Sequence, residues 1–157
     1  MQNSNQKFTN ARLMAVQAVY AKELSDESWE KTVSRFLMGD TGGVVIKDGI
    51  AGREEYITIE AADASLFTGL VNAVKEHEDV LTDVIRNNIS AKIDFERLEI
   101  LIKCILKVGM AEFYVNPNLD TPIIINEYTD MTHAFFEGPE SRLVNAILDK
   151  YARIMRS

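Results

Sequence analysis

Lys7, Arg12 and Lys22 are the charged side chains of residues 1–22, and the first carboxylate after them is Glu23. Three cations with no acid among them can hold an anion, because fixed positive charge attracts phosphate best where no neighbour neutralises it. The feature stands against a formal net charge of −7 for the 157 residues. A second basic stretch, residues 142–157, sets Arg142, Lys150, Arg153 and Arg156 against Asp149. Each end therefore carries +3, and −13 lies between them. Terminal helices packed side by side would make one positive surface on an acidic body. Two readings of the first segment stand. Either an anionic partner lies across the side that carries Lys7, Ala11, Arg12, Ala15, Ala18 and Lys22, or the alanines pack another helix and the cations fringe it.

Other chemistry finds little footing. His77 and His133 are isolated from any nucleophile and from each other, with no HExxH-type spacing. Cys104 falls in an apolar run and reads as a small core side chain. The GDTGG stretch at 39–43 has the glycines of a phosphate loop without its GxxxxGK[ST] spacing, so it reads as a turn. No carboxylate pair stands out for general acid–base work. The residues argue for no enzyme, no cofactor and no metal. A pI near 4.9 argues against general nucleic-acid affinity, which comes mostly from neutralising phosphates. No apolar run approaches the ~20 residues that cross a bilayer. The polar start MQNSNQKF has no signal core, and one cysteine permits no internal disulfide. These features predict a cytoplasmic protein with no membrane contact.

The elements that must position the cations read as mainly helical, since apolar residues recur at three- and four-residue spacing. In the first helix Leu13, Val16, Tyr20 and Leu24 share the apolar stripe. Ser25 and Asp26 can cap a second helix that runs to about Met38. Residues 39–60 hold five glycines, a Val44-Val45-Ile46 run and the alternating Tyr56-Ile57-Thr58-Ile59. They read as two short strands joined at Asp48-Gly49 or across Lys47–Arg53, or as a loop. Helices follow over 61–78 and 79–88, then a connector over 89–93. Asp94 caps the longest helix, FERLEILIKCILKVGMAEFYV, whose apolar character around most of its circumference marks it as surrounded by others. Its interior Gly109 costs about 1 kcal/mol of helix propensity, which calls for a close neighbour. Thr121 or Asp120 caps the next helix with Pro122 in its first turn. Gly138-Pro139 breaks that helix near Phe136. The last helix buries Leu143, Val144, Ile147, Leu148, Tyr151, Ile154 and Met155. The expectation is an all-α domain of about seven helices over residues 1–157.

Three segments carry a resemblance. ARLMAVQAVY at 11–20 resembles the opening helix of the NusB transcription antitermination family, TPIIINEYTDMT its Pro-then-INE helix start, and LVNAILDKYA its final helix. RLEILIKCILKVGMAEF fits the family's long core helix, and only residues 39–60 have no counterpart. The resemblance implies two small helical bundles in one domain, no enzymatic activity and no cofactor. It implies binding to boxA RNA of ribosomal-RNA leader transcripts together with NusE, a small-subunit ribosomal protein, within an antitermination complex that lets RNA polymerase pass terminators.

Single-stranded RNA is gripped by cations on phosphates and by planar side chains stacked on bases. Carried over by position, Arg12 matches the arginine of the opening motif, Tyr20 its closing tyrosine and Arg142 a basic position at the start of the last helix. The expected RNA-binding residues are thus Lys7, Arg12 and Lys22 on phosphates, with Arg142 as neighbour and Tyr20 as stacking or core residue. Asn126, Glu127, Asn145 and Asp149 read as structural. Many relatives place an arginine cluster before this helix where the chain has Phe8, Thr9 and Asn10, which implies a weaker and less salt-sensitive grip. Two alternatives stay open: a scaffold that binds NusE with little RNA affinity, and an enzyme using 39–60 as a lid. A homodimer that masks the basic helix is open as well.

Overall fold

Alanine decides how the first helix sits. The computed structural model describes residues 5–38, 44–48, 53–57, 62–89 and 98–156. Helix α1 (Gln6–Glu23) buries Ala11, Ala15, Val16, Ala18 and Val19, while Leu13 and Tyr20 are only half-buried and Leu24 is 59% exposed. The expected apolar stripe is thus turned by part of a revolution. Small side chains let α1 approach its neighbours closely at no cost in side-chain entropy, and the middle of the face that looked available to an anion, Ala11, Arg12, Ala15 and Ala18, lies in the core.

The remaining elements are α2 (Trp29–Met38), β1 (Val44–Asp48), β2 (Arg53–Ile57), α3 (Ala64–Asn88), α4 (Ile100–Val115), α5 (Thr121–Phe135) and α6 (Glu140–Met155). Helices α1, α2 and α3 pack on one another, as do α4, α5 and α6, and α4 also packs on α1 and α3. The two expected bundles are therefore present, and α4 belongs to both. β1 and β2 form the expected hairpin, antiparallel from Val44 opposite Ile57 to Asp48 opposite Arg53, and β1 also reaches α5. Thr58, Ile59 and the residues of the turn lie outside the described residues, as do Asp94 and most of the connector before α4.

Six helices stand among the described residues where about seven were expected. The segments over 61–78 and 79–88 are one helix, α3, kinked at His77, whose φ and ψ are −113° and 15°. The His77 ring stacks on Tyr114 of α4 at 4.0 Å and 10°. Asp63 starts α3 by accepting a hydrogen bond from the Leu66 N–H at 2.7 Å. The cap of α2 is Ser28, which accepts from the Lys31 N–H at 3.2 Å, rather than Ser25 or Asp26. At the far end, Ile154 and Met155 are exposed, so the buried arc of α6 closes at Ala152.

Helix α4 is surrounded as its sequence demands: every residue from Cys104 to Phe113 is buried. A Cβ added to Gly109 would stand 3.0 Å from Leu148 Cδ2 of α6 and 3.3 Å from Tyr128 Cδ2 of α5. The missing side chain is what lets three helices meet there. Gly109→Val should lower unfolding free energy by about 1–3 kcal/mol through overpacking. Urea unfolding should show that Leu148→Ala in the same chain costs less than it does alone; strict additivity of the two changes would contradict the contact.

Candidate nucleic-acid interface

Arg12 is buried at 5% exposure. Its Nε and Nη2 donate to Glu112 Oε1 and Oε2, both at 2.7 Å, and Nη1 meets Glu127 Oε1 at 3.0 Å. Glu112 stands in the last turn of α4 at 0% exposure and accepts two further hydrogen bonds, from Tyr128 Oη at 2.6 Å and Asn116 Nδ2 at 2.8 Å. Thr9 Oγ1 donates to Glu127 at 3.1 Å. This network joins α1, α4 and α5. A forked guanidinium suits two carboxylate oxygens at once, and a fully bonded pair is what makes a buried carboxylate tolerable. Burial pulls the Arg12 guanidinium's pKa down, but the hydrogen bond and charge of Glu112, with Tyr128 and Glu127 adding, raise it overall.

A second buried cation ties the other end of α1. Lys107 Nζ donates to Glu23 Oε1 at 2.9 Å and to Glu78 Oε1 at 3.3 Å, so α4 holds the last turn of α1 and the turn of α3 beyond its kink. Cys104, one turn earlier, is buried and its thiol is pushed up to about 12 by burial, which keeps it an inert core side chain.

Residues 9–153 match the family described as NusB. The chain belongs to the NusB family. It is 34% identical over 153 residues to the transcription antitermination protein NusB of Rhodospirillum rubrum, covering 93% of this chain and 83% of that one. Over 149 residues it is 32% identical to the protein of the same name from Granulibacter bethesdensis, covering 94% and 88%. Its fold is similar to a solved T. maritima NusB, with a TM-score of 0.70 and 17% identity over 98% of this chain and 93% of that one. It is similar also to a chain from a crystal structure described as a plectonemic RNA supercoil, with a TM-score of 0.69 and 16% identity over 95% and 97%.

Against this NusB fold, the residues expected to hold RNA divide. Lys7 is exposed, with Nζ 5.1 Å from the Phe8 ring centroid. Lys22 is half-buried, with Nζ 5.4 Å from the centroid of Trp29. Tyr20 is half-buried and packs against the core. Arg142 is exposed on α6. Arg12 is the exception, since carboxylates from α4 and α5 already take its guanidinium. Nor do α1 and α6 pack side by side: α6 packs on α5 and α4 and touches α3, whereas α1 packs on α2, α3 and α4. The absence of acids from α1 before Glu23 thus has an internal account, because the carboxylates that pair with Arg12, those of Glu112 and Glu127, come from α4 and α5. Glu127 is structural, as expected; Glu112 and Lys107 were missed. Their one signal is a lone charge amid an otherwise apolar run.

Among the described residues no three His, Cys, Asp or Glu side chains gather to hold a metal ion. Nor is any helix there long and apolar enough to cross a membrane.

Two predictions follow from the buried charges. Arg12→Ala or Glu112→Ala should each destabilise by about 3–5 kcal/mol, because either leaves a buried charge unpaired. Denaturant unfolding should show the double variant losing clearly less than the sum of the two; equal costs added together would mean that the pair is not one unit. The second concerns alkali. Burial first, then the charge and hydrogen bond of Glu112, hold the Tyr128 phenol well above its ordinary 10.0. Burial and the Tyr114 hydrogen bond raise Tyr151. Lys107 is lowered by burial but raised overall by Glu23 and Glu78 above its ordinary 10.5. Each folded-state pKa is raised, so the folded chain keeps protons that the unfolded chain gives up. The contribution of these groups is complete below about pH 10 and is lost as pH rises through the folded values, at up to ~1.4 kcal/mol per pH unit for each group. Unfolding measured at pH 9, 10 and 11 should show the decline, and Tyr128→Phe should make it shallower; an unchanged slope would dismiss Tyr128 as a contributor.

Proposed function

We propose that the protein is a transcription antitermination factor that binds boxA-type single-stranded leader RNA together with NusE and so helps RNA polymerase pass terminators. The observation that carries this reading is membership of the NusB family over residues 9–153, with relatives at 30% identity or more named transcription antitermination proteins. The RNA named in the description of one similar structure accords with it.

The surface chemistry supports a modest RNA grip. Lys7 and Lys22, one at each end of α1, remain for phosphates, with Arg142 on α6 as a separate cation. Both lysines sit beside a ring, Lys7 by Phe8 and Lys22 by Trp29, and phosphate contacts next to aromatic faces are the elements of single-strand binding. Tyr20 lies one turn or less from Lys22 on the same helix and is the candidate for stacking. Arg12 serves by holding α1 on α4 and α5, and so fixes where these groups stand. A second reading has its own support: with Arg12 taken up internally, two lysines remain on α1, which favours a scaffold that binds NusE and relies on it for RNA affinity.

Fluorescence anisotropy of a labelled single-stranded boxA RNA, titrated with and without the cognate NusE across a salt series, tests both readings. The first expects saturable binding that NusE tightens and salt weakens. Lys7→Glu or Lys22→Glu should weaken it with little change in melting temperature and lower the salt slope by about 1 each. Tight NusE binding with no RNA in the complex at low salt would select the scaffold, and binding of neither would reject both.

A further inference from the structure

A groove of about 480 Å³ opens between α2 and α3. Its apolar wall comes from α2: Trp29 and Val33 pack against the core, and Leu37 and Met38 follow at 47% and 72% exposure. Its uncharged polar groups are the exposed Ser34 and Asn72, and an ion pair of Glu30 with Lys75, at 2.7 Å, crosses between the two helices. The wall is therefore electrically balanced. Two other grooves of similar size differ. The one between α1 and α5 is walled by Glu127 and Asp130 with no cation, and the one beside the start of α1 sets Asp63 and Glu127 against an Arg12 that is already bonded. Trp29 also lies under Lys22, whose Nζ is 5.4 Å from the ring centroid. One ring thus belongs both to the basic end of α1 and to a balanced, mainly apolar groove.

We propose that this groove is a base pocket for single-stranded RNA, in which one unstacked base lies against Trp29 while its phosphate meets Lys22. The proposal rests on the reading above and adds a second contact to it. Continuity decides the occupant. A strand held at Lys7 and carried along α1 to Lys22, ~22 Å at 1.5 Å per residue, reaches Trp29 next. A base turned out there finds a cation beside an aromatic face, the pairing on which single strands are held. Chemistry agrees with position. A base has an apolar face and a polar edge. Val33, Leu37 and Met38 offer a dry wall to the face, and the Asn72 amide and Ser34 hydroxyl can each donate to and accept from the edge. The Ser34 hydroxyl rests on Met38 Sδ at 3.6 Å, a weak contact that a base edge would replace. Nor does the groove repel the strand, since Lys75 neutralises the acid of its wall, Glu30. The α1–α5 groove, by contrast, would set two carboxylates against the phosphates.

Trp29 is the one tryptophan of the chain, so its emission reports on the groove directly. The test titrates the full chain with unlabelled single-stranded boxA RNA, alone and with the cognate NusE, subtracting the signal of NusE and RNA without the chain. Emission should be quenched along the same curve that the anisotropy of labelled RNA follows. RNAs carrying one abasic site, moved along the sequence position by position, should abolish the quenching at one position and keep it at the others. Ser34→Glu, an exposed change inside the groove, should weaken binding about fivefold or more, whereas the charge-matched His133→Glu, exposed on α5, should bind as wild type. Both variants should melt within about 2 °C of wild type. If RNA binds and Trp29 stays silent, or if the quenching survives every abasic position, the base pocket falls and the proposed function stands. If RNA does not bind with or without NusE, the RNA part of that function falls and takes the pocket with it. Quenching by NusE in the absence of RNA, or a dimer in sedimentation that Ser34→Glu dissolves, would hand the groove to a protein and overturn the proposal.

Discussion

The fold depends on one buried ion pair. Arg12 reaches from α1 across to α4 and closes a two-pronged bond on Glu112, buried in the last turn of the most enclosed helix. Neither group could be there alone, since an unpaired charge in that position would cost far more than any helix contact returns. Each oxygen of Glu112 takes a second donor, Tyr128 or Asn116, so the site is saturated and admits one arrangement of α1, α4 and α5. A hydrocarbon contact would tolerate sliding by a fraction of a turn; a fork on a carboxylate does not.

The rest of the architecture is consistent with that fixed point. Alanines on α1 bring its backbone near enough for Arg12 to reach Glu112, and the glycine at 109, one turn before Glu112, lets α5 and α6 close over the same stretch of α4. Lys107 repeats the device with reversed sign five residues earlier, tying the far end of α1 and the kinked α3. Two charges on a core helix therefore clamp the two ends of one surface helix. The surface groups of α1, with Lys7 near one end and Lys22 near the other, are held in register by contacts that they do not make themselves.

Electrostatics gives this family member a divided surface. An acidic body would repel RNA broadly, so any nucleic-acid contact must rely on local cations, and those on α1 are few once Arg12 is internal. The carboxylates Glu127 and Asp130 of α5, by contrast, line a mainly apolar groove against α1.

Much of this was legible in residue order. The all-α class, the end of α4, the extent of α5 and α6 to within a few residues, the place of the β-hairpin, the need for a close neighbour at Gly109 and the family itself follow from periodicity, breakers and short motifs, because these are properties of neighbours in the chain; the start of α4, expected at Phe95 and found at Ile100, does not. The rotation of α1 was not legible: Leu13, Tyr20 and Leu24 look more apolar than Ala11, Ala15 and Ala18, and only the tight space against α3 and α4 makes the smaller face the buried one. The role of Arg12 was hidden for the same reason. Its type and the absence of acids around it spoke for an anion, and they were right about the charge it needs, but the carboxylates stand 100 and 115 residues further along and are adjacent only in space. Sequence by itself determined which elements form and which residues carry charge; the tertiary structure alone decided which of those charges face water and which are spent holding the helices together, because pairing across the core depends on distance in space and not along the chain.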